Sequence, residues 1–253
     1  MNIAVILAGG TGSRMYNETV RSAGSRSVLL PKQFMQLQGR AVIEYPIDTF
    51  DRHEAIDEVA VVVHPDWRGE MEAIVARNSW KKLTRLIDGG SERYMSTLNA
   101  VMAYIDCPDD TNLLLHDAAR PWVSGEVVTR VTEALKTHEA VGVGIPSTDT
   151  VWEVHPDLNS DFGAGGSEFI IPRFVARIPE RRLMWRAQTP QAFRLPLIRD
   201  AYQCALQDPQ FRATDDCGVV RTYMPGTKIA VVEGEERNRK ITFAEDLDCA
   251  VGT

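Results

Sequence analysis

The sequence predicts an α/β fold built on a largely parallel sheet, and three observations carry that prediction. Short β-rich runs alternate with amphipathic segments along most of the chain. One run, DEVAVVVHP, is almost continuously apolar, as in a strand buried on both faces. The alternation breaks only between Pro146 and Arg182, where two β-rich runs flank a polar, glycine-rich stretch.

Each element follows from its own local pattern. MNIAVILA reads as a strand, and AVIEYPIDTFDRH as a helix with Pro46 tolerated in its first turn. After the strand DEVAVVVHP come the helix WRGEMEAIVARN, the strand KLTRLIDGG and the helix SERYMSTLNAVMAYI, opened by Ser91. NLLLHDAARP is a further strand, followed by the helix SGEVVTRVTEALKTH with Ser124 as its N-cap, and then the strand AVGVGIPS. This order implies right-handed crossovers. DTVWEV and EFIIPRFVARIP read as antiparallel strands of a projecting hairpin arm joined by HPDLNSDFGAGGS. The chain finishes with the helix PLIRDAYQCALQ, the strand KIAVVEGE and the helix FAEDLDCAV, and NETVRSAGSRSV reads as a loop.

Composition narrows the function. A chain of 253 residues with 44% apolar residues suits one α/β domain over 1–253 with an appended arm at about 147–182. The net charge of −7 excludes a nucleic-acid-coating role, which needs a surplus of Lys and Arg. No uninterrupted apolar run approaches the length of a membrane-spanning helix, and the N-terminus enters a strand without a basic leader, so a cytoplasmic chain is expected. The four cysteines are widely spaced and form no CxxC pair, which points to free or buried thiols rather than metal ligands.

Chemistry begins at LAGGTGSRM, residues 7–15. A Walker loop would close on Gly-Lys-Ser/Thr, but Gly12 is followed by Ser13 and Arg14. A dinucleotide fingerprint fits Gly10 and Gly12 and fails at Met15, with no ribose-binding acid at the end of the second strand. A nucleotidyltransferase loop remains. Ala8, Gly9, Gly10 and Gly12 let backbone N–H groups approach a triphosphate. A triphosphate and an attacking phosphate gather about four to six negative charges, which fixed cations must offset. Arg14, Lys32 in LPKQF and Lys240 in ERNRKIT supply them.

Asp117, in HDAARP at the end of a buried strand, is placed as a ligand for Mg²⁺ or another divalent cation. Arg120 either pairs with it or binds phosphate, and His116 reads as packing. Gly90, Ser91 and Ser96 lie at a loop-to-helix junction suited to base and ribose contacts. Thr189 precedes Pro190 in what reads as a rigid loop, and Thr214, Asp215 and Asp216 form either a helix cap or substrate contacts.

Taken in order, AGGTGSRM, PKQF, HDAARP, TPQAF, TDD and RKIT resemble the cytidylyltransferases that make CDP-polyols. The resemblance spans essentially the whole chain. It implies a Rossmann-like, mostly parallel twisted sheet with helices on both faces, a β-hairpin arm that clasps a second copy in a homodimer, and Mg²⁺-dependent transfer of CMP from CTP to a polyol phosphate. Carried over motif by motif, Arg14, Lys32 and Lys240 would stabilise the reacting phosphates, with Asp117 as the metal ligand. Ala118, Gly90, Ser91 and Ser96 would contact the cytidine, with the glycine loop around the phosphates. Arg120, Thr189 and Thr214, with Thr150 and Arg181 from the partner's arm, would hold the polyol phosphate.

Three departures accompany the match: a long linker from Tyr16 to Leu30, a long, glycine-rich arm tip, and Trp152 after DTV. LAGG resembles the ribitol 5-phosphate branch, whereas HDAARP, MWRAQTPQAF and TDD resemble the methylerythritol phosphate branch, towards which the reading leans. Other readings are a catalytically silent nucleotide-binding regulatory protein and a sugar-1-phosphate nucleotidyltransferase using UTP or GTP.

Overall fold

The computed structural model describes residues 1–10, 30–156, 173–243 and 245–248. Gly12, Arg14, Met15, Cys249, nearly all of the 16–30 stretch and the tip of the hairpin therefore lie outside the described residues. The elements run β1 (Asn2–Ala8), β2 (Gln36–Leu37), β3 (Arg40–Ala41), α1 (Glu44–Arg52), β4 (Glu58–Val63), α2 (Arg68–Arg77) and β5 (Leu83–Asp88). They continue with α3 (Arg93–Ala103), β6 (Asn112–Asp117), α4 (Gly125–Ala134), β7 (Ala140–Pro146), β8 (Glu153–Pro156) and β9 (Arg173–Arg177). The last are β10 (Trp185–Arg194), α5 (Leu195–Ala205), α6 (Asp216–Tyr223), β11 (Ile229–Glu233) and α7 (Glu245–Asp248).

Seven strands form one sheet in the order β11-β7-β10-β6-β1-β4-β5. All neighbours are parallel except β10, which runs antiparallel to both β6 and β7. The apolar runs are continuous because both faces are covered. Along β1, Ala4 and Ile6 pack with Ile47 and Phe50 of α1 and with Val127, Val128 and Val131 of α4. Ile3 and Val5 turn to the opposite face, against Val101 of α3, Ile198 and Tyr202 of α5, and Val219 and Val220 of α6. These strand residues are fully buried, the Ile and Val side chains each worth about 1.5–3 kcal/mol in apolar transfer.

Local chemistry sets the boundaries. Ser124 caps α4, its hydroxyl accepting from the Val127 N–H at 3.2 Å. Pro46 lies in the first turn of α1, where a missing N–H costs nothing. Other boundaries differ from those the sequence predicts. Helix α3 begins at Arg93, with Glu92 rather than Ser91 at its N-cap, and the Ser91 hydroxyl donates to Met95 Sδ at 3.2 Å instead. TDDCG resolves as a cap: Asp215 Oδ1 accepts from the Gly218 N–H at 2.7 Å and opens α6, a helix the periodicity does not announce. The terminal helix is described only over Glu245–Asp248.

The largest difference concerns Thr189, expected in a rigid loop and found inside β10. Trp185–Gln188 pair with β7, and Gln191–Arg194 pair with β6. The register of β10 on β7 shifts between Gln188 and Ala192. Pro190 falls in that break, the one kind of place where a central strand tolerates a residue without an N–H.

Strands β8 and β9 pair antiparallel as a two-stranded sheet of their own. Exposed side chains on them include Val154, Phe174 and Val175.

Candidate active site

The parallel strands β1, β4, β5 and β6 release their C-terminal ends side by side. Leu7 is in register with Asp117, and Val63 with Asp88. Ligands of open α/β sheets bind at such an edge.

Here the first and third glycine-bearing turns touch. A Cβ on Gly9 would lie 2.3 Å from Ser96 Oγ, and one on Gly89 would lie 3.0 Å from the Gly9 Cα. No side chain fits between these backbones, so glycine is required for close packing. Ser96 is buried, and its hydroxyl accepts from the Gly90 N–H at 3.3 Å. Ala8, Gly9, Gly10, Gly90 and Ser96 thus form one lip, with Ser91 exposed on its rim. Ala118 closes the adjoining side, its N–H bonded to Leu7 O at 3.1 Å. Lys32 opens a 3-10 turn beneath this lip. The next residue, Gln33, donates its side-chain amide to Ala8 O at 2.8 Å and Gly10 O at 3.1 Å.

The charged centre is Asp117. Its Oδ2 receives Lys240 Nζ at 2.8 Å, with Arg120 Nε at 3.7 Å, and its Oδ1 faces Arg93 Nε at 3.5 Å. Burial alone would raise this carboxyl, but Arg93, Lys240 and Arg120 outweigh it and hold it well below the usual carboxylate range. Three cations around one carboxylate leave a local excess of positive charge, suited to a polyphosphate.

The residues around this centre set its shape. Thr189 Oγ1 accepts from the Asp117 N–H at 3.1 Å and bonds His116 Nδ1 at 3.1 Å. The other ring nitrogen of His116 lies 3.0 Å from Arg120 O. Full burial pushes the His116 pKa down to about 4, so the ring is neutral at pH 7 and works as a spacer. Arg120 donates to Asn238 O at 2.8 Å and Ala187 O at 3.3 Å.

Arg93 reaches a second carboxylate, its Nη2 lying 2.8 Å from Oδ2 of fully buried Asp216. Tyr202 OH donates to Asp216 Oδ1 at 2.7 Å. Burial works against the Arg93 charge, yet Asp216 and Asp117 raise its pKa. A line of ionic contacts therefore runs from α6 through Arg93 to Asp117 and Lys240.

Among the described residues no cluster of three His, Cys, Asp or Glu side chains could hold a metal ion. Asp117 is a single hard carboxylate among cations. Such a donor fits a divalent ion that arrives on a triphosphate, since Mg²⁺ often combines one or two carboxylates with substrate phosphates. It does not make a site for a free ion.

Thr150 and Arg181 are exposed beside the hairpin, with Arg181 donating to Thr148 O at 3.3 Å. Thr214 is exposed just ahead of α6. Among the described residues no hydrogen bond or ion pair joins these three to Asp117.

The residues 2–252 match the family model IspD: 2-C-methyl-D-erythritol 4-phosphate cytidylyltransferase. The chain belongs to this family. Among its relatives, the 2-C-methyl-D-erythritol 4-phosphate cytidylyltransferase of Thermobifida fusca is 42% identical over 247 residues, covering 98% of this chain and 90% of that protein. A bifunctional ribulose 5-phosphate reductase/CDP-ribitol pyrophosphorylase of Haemophilus influenzae is 34% identical, covering 97% of this chain and 46% of that protein. The crystal structure of 4-diphosphocytidyl-2C-methyl-D-erythritol synthase from Anaerococcus prevotii superimposes with a TM-score of 0.78 at 28% identity, covering 99% of this chain and 96% of the other.

Within this family frame, the structure joins Asp117, Arg120, Thr189 and Lys240 in one cluster. It also contains functional-looking residues that sequence reasoning missed: Gln33, Arg93, Gln188, Gln191 and Asn238. One had a readable signal. Arg93 places a cation on the first turn of a helix, where the dipole disfavours it, so it needs a carboxylate partner.

Proposed function

We propose that this chain transfers CMP from CTP to 2-C-methyl-D-erythritol 4-phosphate and releases pyrophosphate. The observation that carries this reading is the Asp117 carboxylate ringed by Lys240, Arg93 and Arg120 at the strand ends, beside the touching glycine turns. An acceptor phosphate oxygen attacks the α-phosphorus of CTP; the new P–O bond forms as the bond to the β-phosphate oxygen breaks. The acceptor phosphate is already anionic, so no side chain needs to remove a proton. Catalysis reduces to positioning and charge stabilisation.

Lys240, Lys32 and Arg14 offset the charge on the reacting phosphates. Ala8, Gly9, Gly10, Gly12, Gly90, Ser91, Ser96 and Ala118 cradle CTP. Arg120, Thr189 and Thr214 hold the acceptor phosphate. Mg²⁺ carried on the triphosphate would be held by Asp117, and when bound it supplies Lewis-acid charge neutralisation.

The arm serves a homodimer in this reading. Trp152 is 60% exposed, Phe174 61% and Ile178 59%, apolar surface of the kind a second copy would cover. Thr150 and Arg181 would then complete the acceptor pocket of that second copy. Sedimentation of a fully active monomer would refute this.

The decisive assay is pyrophosphate release from CTP and Mg²⁺ with each acceptor. Release with methylerythritol phosphate and little with ribitol 5-phosphate is expected. The reverse preference would move the chain to the CDP-ribitol activity of the Haemophilus relative, and tight CTP binding without release from either acceptor would sink the transferase reading.

A further inference from the structure

Asn238 is fully buried, lies two residues before Lys240 and has no place in the chemistry above. Its side-chain amide donates to Thr189 O at 2.8 Å and Gln188 Oε1 at 3.2 Å. The main-chain carbonyl of Asn238 accepts from Arg120 Nη1 at 2.8 Å, and its main-chain N–H closes a turn on Glu235 O at 2.9 Å. Gln188 strengthens the same turn, donating to Glu235 O at 2.8 Å and accepting from the Glu235 N–H at 3.2 Å. Beyond Lys240, the Ile241 N–H bonds Ala119 O at 2.8 Å.

The segment carrying Lys240 is therefore sewn on both sides. Upstream it is tied to β10 and Arg120, downstream to the turn after Asp117. Lys240 itself is 39% exposed on a long flexible side chain, so its ammonium is placed by the backbone beneath it rather than by packing. We infer that Asn238 is a positioning residue of the transferase reaction: it sets the Lys240 ammonium and the Arg120 guanidinium in one frame with Thr189. This inference rests on the transferase reading, through the role of Lys240.

The arrangement has a mechanical reason. Lys240 serves the nucleotide and Arg120 the acceptor phosphate, and the two phosphates must meet in line. A single buried residue whose side-chain amide bonds the Thr189 carbonyl, while its main-chain carbonyl accepts from Arg120, keeps both cations in register with one strand. Loss of a fraction of an ångström in such a frame costs rate before it costs binding.

The test is a double-mutant cycle between Asn238→Ala and Lys240→Met, with kcat and the KM for CTP measured on the full-length protein. Asn238→Ala alone is expected to lower kcat about 10- to 100-fold with KM for CTP within threefold. In the Lys240→Met background the same change is expected to cost at least threefold less than in the wild type, because one of the two cations it positions is gone and only the Arg120 share remains. A full multiplicative loss in that background would overturn the inference, and so would wild-type kcat in Asn238→Ala.

Two further measurements guard the result. Gln188→Met leaves Asn238 in place but removes its second acceptor and both ties to Glu235, and should lower kcat in the same direction. Acetylation of Lys240, followed by mass spectrometry against exposed Lys136 as reference, should be several-fold faster in Asn238→Ala. Unchanged labelling would refute a displaced ammonium whatever the kinetics show. Failure of the transferase reading is separately visible, as absence of turnover in the wild type.

Discussion

Lys240→Met separates a transition-state charge from a structural one. The methionine keeps the length and apolar stem of lysine and removes only the ammonium. In the free protein that ammonium lies 2.8 Å from Asp117 Oδ2, but the lysine is 39% exposed. Solvent screening therefore limits the pair to about 0–1 kcal/mol of stability. Asp117 keeps Arg93 at 3.5 Å and Arg120 at 3.7 Å, so its charge is not stranded. For a chain of this size a loss of 1 kcal/mol moves Tm by about 2–4 °C. Catalysis should respond differently, because on the proposed reading the ammonium faces charge that develops on the reacting phosphates. Removing one such contact typically costs about 10²–10³ in kcat, or about 2.7–4 kcal/mol. The expected outcome is a fall in pyrophosphate release of at least a hundredfold with Tm lowered by no more than about 4 °C. Turnover within tenfold of wild type, or a fall in Tm of 10 °C or more, would refute this division of labour.

Three other outcomes follow from the same geometry. Asp216→Asn leaves Arg93 without its fully buried partner and should cost about 3–5 kcal/mol in urea unfolding; a change under 1 kcal/mol would show that the pair carries little. His116 titrates at about 4 in the folded chain against about 6.5 unfolded, so its neutral form favours folding above pH 6.5 and that contribution is lost as pH falls towards 4. Wild type should accordingly lose up to about 3 kcal/mol more than His116→Gln between pH 7 and pH 4, and parallel pH profiles would count against the assignment. Gly9→Ala drives a Cβ to 2.3 Å from Ser96 Oγ and should raise the KM for CTP and cost about 1–3 kcal/mol, with partial relief in the Ser96→Gly background; a silent Gly9→Ala would mean the lip yields freely.

Much of this was legible in the chain. The parallel strands announce themselves because burial on two faces demands unbroken apolar runs, as in Glu58–Val63. Asp117 and Arg120 stand out at the end of a buried strand, whereas Lys240 is picked out only by RKIT, one of the motifs that carry the resemblance. β10 was harder: Pro190 reads as a breaker, and only the register shift against β7 shows how a strand absorbs it. Asn238, Gln188 and Gln191 were illegible for a different reason. Their amides bond backbone and side-chain atoms far away in sequence: Gln191, for example, donates to Asp215 Oδ2 at 2.8 Å and accepts from the Cys217 N–H at 2.9 Å. Pairings of that kind exist only after the sheet has formed.

The root of the hairpin carries one more implication. Pro146 and Trp185 are partners on a single rung between β7 and β10, and the Ser147 N–H bonds Met184 O at 2.8 Å just outside the sheet. Everything between them is an excursion that leaves and returns at one point. Insertions there alter loop closure only logarithmically and leave the registers of β7 and β10 untouched. The segment is thus a replaceable cartridge: the side chains it carries, including Thr150 and Arg181, which we propose as acceptor contacts, can be exchanged wholesale while Asp117, Lys240 and the glycine lip stay as they are. On the proposed reading, a scaffold wired this way could change which alcohol phosphate it accepts without rebuilding the machinery that handles the nucleotide.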